Sequence, residues 1–286
     1  MTEEELTAEF GENGWKQLPD AIARRYRFIP AKVEVDEHHV GVYASKADGH
    51  MVKAKHPKSL LHGSPVSASL AAAIMNGKYV NAVPLYRLEQ EFIRYGLAIT
   101  RQNMANWMIR LGEEYLSVLY DHLHTLLYGY HVIQADETPV LVNRDGRSAG
   151  SKSYMWIYRS GHMYPEKQII LYEYQRTRNA SHPRVFLTDG DVPMDNNASE
   201  REIRGFCVGK KNWQMIDTIN GAKSSAIIYS IAETAKANNL KPYEYFEYLL
   251  TEIPKHMDDT DRSFLDDLLP WSEKLPENIR KPKKSN

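Results

Sequence analysis

The sequence predicts a mixed α/β protein, in which a helical region precedes a small antiparallel sheet with packing helices. Apolar residues recur at helical spacing between residues 67 and 128. From residue 131 the pattern changes to short strand-like runs joined by turn residues, and helical spacing returns after residue 197. The 286 residues, 42% of them hydrophobic and 26% charged, are sufficient for a buried core.

Residues 61–130 form the predicted helical region. A first, alanine-rich helix begins after Pro65, and the serines at 67 and 69 are available as caps. Pro84 opens a second helix, and Gly96 ends it because glycine readily adopts the left-handed conformation after a helix. Thr100 caps a third helix, whose apolar stripe continues toward Gly129.

The predicted strands cover residues 132–142, 154–158 and 168–174. Short connections between consecutive strands predict a three-stranded antiparallel meander. Further along, we expect a helix to start at residues 197–204, an extended segment at 210–213, and helices over 222–237 and 243–250. The remaining residues, rich in Asp, Pro and Lys, predict a flexible tail.

Composition excludes several classes of protein. Cys207 is the only cysteine, which excludes a disulfide framework and a zinc finger built on paired thiolates. The acidic start lacks an apolar signal segment, and no apolar run is long enough to cross a bilayer, so we expect a cytoplasmic protein without a membrane partner. The net charge of −1 gives no overall nucleic-acid signature, although basic residues cluster locally.

Four acidic residues at three places in the sequence are candidates for chemistry. Asp136 and Glu137 lie inside an apolar strand, where a buried charge is costly unless it is paired or binds a metal. The residues alone favour the alternative that the strand ends at residue 135 and both carboxylates are exposed. Glu200 stands four residues before Arg204, the spacing of a surface ion pair. Asp189, followed by glycine, reads as a turn residue.

Several motifs in the same order resemble the insertion-sequence-66 family of bacterial DDE transposases. The resemblance covers residues 31 to about 254. It rests on Ala-Asp-Glu-Thr-Pro-Val at 135–140, Tyr-Met-Trp at 154–156, Asp-Asn-Asn-Ala-Ser-Glu-Arg at 195–201 and its continuation to residue 213, and Gly-Ala-Lys-Ser-Ser-Ala at 221–226.

The resemblance implies an RNase H-like core in which carboxylates bind two divalent metal ions, Mg²⁺ or Mn²⁺. An enzyme of this kind cleaves and joins double-stranded DNA at transposon ends. Asp136 corresponds to the first carboxylate and Glu200 to the third, and both would be catalytic metal ligands. A homo-oligomer is compatible with this reading. The residues that would neutralise DNA phosphates are Arg201, Arg204, Lys210 and Lys211.

The chain departs from the family pattern in two places. Residues 43–49 occupy the place of a cysteine-based zinc module but contain no thiolate, so no zinc is expected. The family's long segment with the second catalytic aspartate is missing between Arg184 and Asp195, which suggests an internal deletion. Asp189 would replace that aspartate only if its turn lay beside Asp136, which we do not expect.

These observations give four predicted parts and three hypotheses of function. Residues 1–60 form a degenerate N-terminal module and linker, 61–130 the helical region, 131–237 a truncated RNase H-like core, and 238–286 a C-terminal helix and flexible tail. The first hypothesis is a transposase-family protein whose catalysis is impaired by loss of the second carboxylate. The alternatives are a non-catalytic DNA-binding or oligomerising derivative and a non-functional remnant.

Overall fold

The computed structural model describes residues 1–20, 22–27, 31–55, 57–148, 150–161, 164–179, 197–213 and 215–282, and for residues 197–202 it describes the backbone alone. The chain divides into two units, Met1–Val35 and Asp36–Asn286. The first unit contains helix α1 (Glu3–Phe10), which begins with a capping box between Thr2 and Glu5. The second unit contains the sheet and the other helices described below.

The second unit begins with a hairpin of β1 (Val42–Ala44) and β2 (Met51–Lys53) and continues into a helical region. Its helices are α2 (Ala68–Met75), α3 (Leu85–Arg94), α4 (Arg101–Leu111) and α5 (Ser117–Leu127). Two π-helical turns, Asn76–Val80 and Gly112–Leu116, extend α2 and α4. The sequence-based helix boundaries at Ser67, Gly96 and Thr100 are confirmed, because both hydroxyls accept hydrogen bonds from the first helical turn and Gly96 has φ of +82°.

A four-stranded mixed sheet follows, with β3 (Ile133–Arg144), β4 (Lys152–Ser160), β5 (Ile170–Gln175) and β6 (Ile216–Thr218). The strand order is β5-β4-β3-β6. β4 pairs antiparallel with both β3 and β5, whereas β6 pairs parallel with the end of β3 at Val142 and Arg144. The sequence did not predict β6, since a strand of three residues leaves no periodic pattern.

The last helices are α6 (Asn197–Trp213), α7 (Ile219–Ala237), α8 (Pro242–Glu252) and α9 (Phe264–Leu268). The mixed α/β class is therefore confirmed. The extended segment expected at residues 210–213 is wrong, because those residues form the last turn of α6. No helix in the described ranges has both the length and the apolar character needed to cross a membrane.

The flexible tail expected after α8 is also wrong for most of its length. Leu265, Leu268, Leu275 and Ile279 are all buried, and Leu240 pairs with Arg280 in an isolated β-bridge. The chain therefore returns to the folded unit as far as residue 281, because these apolar side chains gain more from burial than the segment loses in chain entropy.

Helix α7 covers the outer edge of β5 with two hydroxyl side chains. Ser230 Oγ accepts a hydrogen bond of 2.7 Å from the amide of Tyr172. Thr234 Oγ1 accepts one of 2.9 Å from the Ile170 amide and donates one of 2.8 Å to the Ile170 carbonyl. An edge strand normally exposes these groups, so the two hydroxyls allow the edge to be buried without unsatisfied main-chain atoms.

We expect Thr234→Val to lower the free energy of unfolding by about 2–4 kcal/mol, because the isosteric change leaves a buried amide and a buried carbonyl of Ile170 without partners. Urea denaturation measures the effect. Thr251→Val is the matched control, since Thr251 is exposed and its hydroxyl bonds only within α8. Equal effects of the two substitutions would contradict the proposed role of Thr234.

Candidate active site

Asp136 and Glu137 lie inside β3, so the alternative in which the strand ends at residue 135 is wrong. Asp136 is opposite Ile157 of β4, which in turn is opposite Tyr172 of β5. Successive strand residues alternate between faces, so Asp136 shares a face with Thr138. This is the face on which α6 and α7 pack, and Asp136 is half-buried there.

Glu137 lies on the opposite face of β3, across from Trp156. Its carboxylate forms an ion pair with Arg178. Only 14% of the Glu137 side chain is exposed, compared with 68% for Arg178. The pair neutralises a mostly buried charge, and this partner accounts for the presence of a second carboxylate in the strand.

Side chains also satisfy the main-chain groups of β3 that point away from β4. Pro139 has no N–H to leave unpaired, and Lys210 Nζ donates a hydrogen bond to the Pro139 carbonyl. The amide of Glu137 donates a hydrogen bond of 2.8 Å to Asp136 Oδ1. Because β6 pairs only with the end of β3, these contacts protect part of the strand that would otherwise be an open edge.

Burial raises the pKa of the Asp136 carboxyl above its usual value. The hydrogen bond from the Glu137 amide and the positive charge of Arg178 lower that pKa, whereas the negative charge of Glu137 raises it. The net direction is upward, so the fold holds this carboxylate in an unfavourable setting. Such carboxylates are more frequent at functional sites than elsewhere.

Helix α6 packs on the Asp136 face of the sheet. Cys207 Sγ donates to Thr138 Oγ1 at 3.6 Å, and Phe206 packs against the rings of Tyr172 and Tyr229 at centroid distances of 6.0 and 5.1 Å. Glu200 lies in the backbone of this helix, but its side chain is outside the described residues. Asp189 also lies outside the described residues.

The residues expected to contact DNA differ in their environments. Arg204 and Lys211 are exposed on α6. Lys210 is half-buried, and its ammonium group is occupied by the Pro139 carbonyl. The side chain of Arg201 is outside the described residues.

The described residues do not by themselves complete a metal site. Among them, no group of three or more His, Cys, Asp or Glu side chains is arranged to hold a metal ion. Asp136 supplies carboxylate oxygens of the kind that Mg²⁺ prefers, but Glu137 faces the other side and is paired with Arg178. A metal centre here therefore requires ligands beyond this described set.

The C-terminal half of α6 has a close contact that sequence reasoning missed. A Cβ at Gly209 would lie 2.2 Å from Trp213 Cη2 and 2.5 Å from the Tyr229 hydroxyl. Lys78 lies beside this contact, with Nζ 4.6 Å from the Trp213 ring centroid, and burial lowers its pKa to about 8. Lys78, a charged residue that follows an apolar helical segment, is the sequence feature that could have indicated this contact.

Comparison with known proteins identifies the family. The model of the transposase IS66 family matches residues 63–186 and 184–224, which together make up more than half of the chain. The IS66 C-terminal element matches residues 230–271. The chain belongs to the IS66 transposase family. The family match thus includes α2–α7, β3–β6 and the C-terminal helices of this IS66-family protein.

Relatives in Sinorhizobium fredii (strain NBRC 101917 / NGR234) are longer than this chain. Uncharacterized protein y4qI is 30% identical over 136 residues, which are 48% of this chain and 25% of the relative. Uncharacterized protein y4hP is 32% identical over 87 residues, 30% of this chain and 15% of the relative. The matches therefore span a quarter or less of these two proteins. No solved structure matches significantly.

We expect Gly209→Ala to destabilise the protein by about 1–3 kcal/mol, because the new methyl group overlaps Trp213 and Tyr229. Urea denaturation measures the loss. Gly205→Ala is the matched control in the same helix, since its Cβ would meet no atom closer than 3.8 Å. The Gly205 variant should be neutral or more stable by up to about 1 kcal/mol. A neutral Gly209→Ala would show that the contact is not tight.

We expect Asp136→Asn to raise thermal stability at neutral pH and to have little effect in acid. Burial raises the folded-state pKa of Asp136, so wild-type stability falls as pH rises from the ordinary carboxyl value of 3.8 through the folded-state pKa. Removing the charge removes this loss. Thermal unfolding measured from about pH 3 to about pH 8 covers this pH range and tests the sign of the stability difference between the variant and the wild type.

Asp145→Asn is the control for the preceding experiment and has the opposite expected sign. Arg147 holds the pKa of Asp145 below its usual value by hydrogen bonding to its carboxylate. This contribution is present above the unfolded pKa and is lost as pH falls through the folded pKa. Asp145→Asn should therefore destabilise at neutral pH. A destabilised Asp136→Asn at neutral pH would contradict the assignment for Asp136.

Proposed function

We propose that this IS66-family protein binds DNA as a transposase does but has a catalytic centre that lacks the second carboxylate. The observation that carries the proposal is the split of the family match into two segments that meet at residues 184–186. The meeting point lies between Asp136 and Glu200. In the family resemblance, this is the interval that contains the second catalytic aspartate, and Asp189 is not assigned to the centre.

The packing of α6 supports Asp136 and Glu200 as the two retained carboxylates. Cys207 contacts Thr138 and Lys210 contacts Pro139, and the chain just after α6 pairs with the end of β3. These contacts support α6 and β3 running in the same direction. Position 200 is two helical turns before Cys207, and helix periodicity therefore assigns both positions to one helical face. Moving back along both elements leads from Thr138 toward Asp136 and from Cys207 toward position 200.

The sheet supports a truncated RNase H-like core. β3 carries Asp136 in its first half and has an antiparallel neighbour on one side and a parallel neighbour on the other. The parallel neighbour, β6, pairs at only two positions of β3. β6 comes after α6 in the chain and takes the position beside β3. A short strand in this position supports the loss of a longer parallel strand from the segment before α6.

Loss of one carboxylate from a catalytic unit removes most of its rate, because members of such a unit act together. Contacts to DNA phosphates do not depend on that unit, since each basic side chain acts through charge neutralisation. Arg204 and Lys211 are exposed for this purpose. We therefore expect DNA binding to persist where strand cleavage does not.

The test uses the full chain with duplex DNA from each end of the element that encodes it, in Mg²⁺ and in Mn²⁺. We expect salt-sensitive binding and no end-specific nicking above the level of Asp136→Asn. Arg204→Ala with Lys211→Ala should lower the slope of log affinity against log salt by about 2, one for each lost phosphate contact.

Lys274→Ala with Lys281→Ala is the matched control, because it removes two exposed charges from the C-terminal segment. It should leave the salt slope unchanged. End-specific nicking that disappears in Asp136→Asn would contradict the incomplete centre and support an active enzyme. A chain that binds no duplex at low salt would contradict the DNA-binding function.

A further inference from the structure

Helices α3 and α4 form a helix–turn–helix unit with one buried side. Leu88 and Phe92 of α3 are buried together with Met104 and Trp107 of α4. Ile99, in the connection between the helices, is buried as well. α3 packs against α4, and their buried side also faces the rest of the second unit, because Leu88 lies against Gly77. The opposite side of α4 lies outside the core.

The connection between the two helices is held by specific main-chain contacts. Gly96 has φ of +82°, and the Leu97 amide donates a hydrogen bond of 2.9 Å to the Phe92 carbonyl, which closes the end of α3. Thr100 Oγ1 accepts from the Asn103 amide at 3.2 Å. Glu89 Oε1 accepts from the Arg101 amide at 3.1 Å and so ties the first turn of α4 to α3.

The outward side of α4 presents side chains suited to reading DNA bases. Its exposed residues include Arg101, Gln102, Asn103 and Asn106. A guanidinium group forms paired hydrogen bonds with guanine in the major groove, and Asn or Gln amides form them with adenine. Within the described part of the chain, the side-chain amides of Gln102, Asn103 and Asn106 donate no hydrogen bond to protein, so they are available to a ligand.

The charge of the unit complements DNA, unlike that of the whole chain. Residues 85–111 contain four arginines and two glutamates, a net charge of +2, whereas the chain carries −1. Both glutamates are engaged locally, Glu89 with the Arg101 amide and Glu91 with the Tyr95 hydroxyl. Arg87 and Arg94 are exposed on α3.

We propose that α4 is a recognition helix that enters the major groove of duplex DNA, with Arg101, Gln102, Asn103 and Asn106 contacting base edges. In this geometry α3 crosses the DNA backbone, where Arg87 and Arg94 contact phosphates. The inference rests on the proposed DNA-binding function and deepens it. It assigns sequence reading to the helical region and leaves phosphate contacts near the sheet to α6.

The experiment selects binding sequences for the full chain from a randomised duplex library and then measures affinity for the selected duplex and for an unrelated duplex. We expect Arg101→Ala, Asn103→Ala and Asn106→Ala each to weaken binding to the selected duplex about 10- to 100-fold. Arg101→Lys should keep affinity for the unrelated duplex and lose the preference, because an ammonium group cannot make the paired contact.

Lys281→Ala and Asn278→Ala are the matched controls, since they remove an exposed charge and an exposed amide outside the helix pair. Both should retain full preference, and all variants should keep wild-type thermal unfolding. If the wild type enriches a motif that the α4 variants still prefer, α4 is not the recognition helix and DNA binding itself stands. If the wild type captures no duplex at any salt concentration, both the recognition helix and the DNA-binding function are wrong.

Discussion

Burial of α7 between the helical region and the sheet is the constraint on which the rest of the second unit depends. On one side, Ser230 and Thr234 satisfy the edge of β5. On the other side, Ser224 Oγ donates a hydrogen bond of 2.7 Å to the Met108 carbonyl of α4, and Gly112 allows the close approach. One helix thus contacts both the strand layer that contains Asp136 and the helix pair that we propose reads DNA, so we expect these two parts to unfold together.

β6 pairs only with the end of β3, and side chains of β3 and α6 satisfy main-chain groups elsewhere on that side of the strand. Pro139 lacks an amide, Lys210 meets the Pro139 carbonyl, and Asp136 accepts from the Glu137 amide. This arrangement lets β3 stay folded with only a short parallel neighbour. The charge of Asp136 lowers the stability of the fold, because this carboxyl is half-buried and burial raises its pKa. An uncharged residue at this position would give a more stable protein.

Sequence patterns predict the elements whose ends carry strong local signals, such as proline, glycine or a capping residue. The predictions fail where tertiary contacts determine the structure. Pro84, Gly96 and Thr100 are strong local signals, so the bounds of α3 and α4 were predictable. Residues 210–213 were expected to be extended, whereas α6 continues to Trp213 and Gly209 contacts Trp213 and Tyr229 within it. Asp136 was chosen through family motifs, because periodicity alone favoured an exposed strand end. The polar face of α4 was not singled out, since exposed polar residues opposite an apolar stripe are ordinary in a surface helix.

The most direct test of the incomplete centre is electron paramagnetic resonance of Mn²⁺ titrated into the full chain with end DNA. The family resemblance implies that an intact centre would bind two divalent metal ions through its carboxylates. If the second carboxylate is missing, we expect isolated Mn²⁺ signals and no spin-coupled pair, in the wild type as in Asp136→Asn. A spin-coupled Mn²⁺ pair in the wild type that disappears in Asp136→Asn would contradict the incomplete centre.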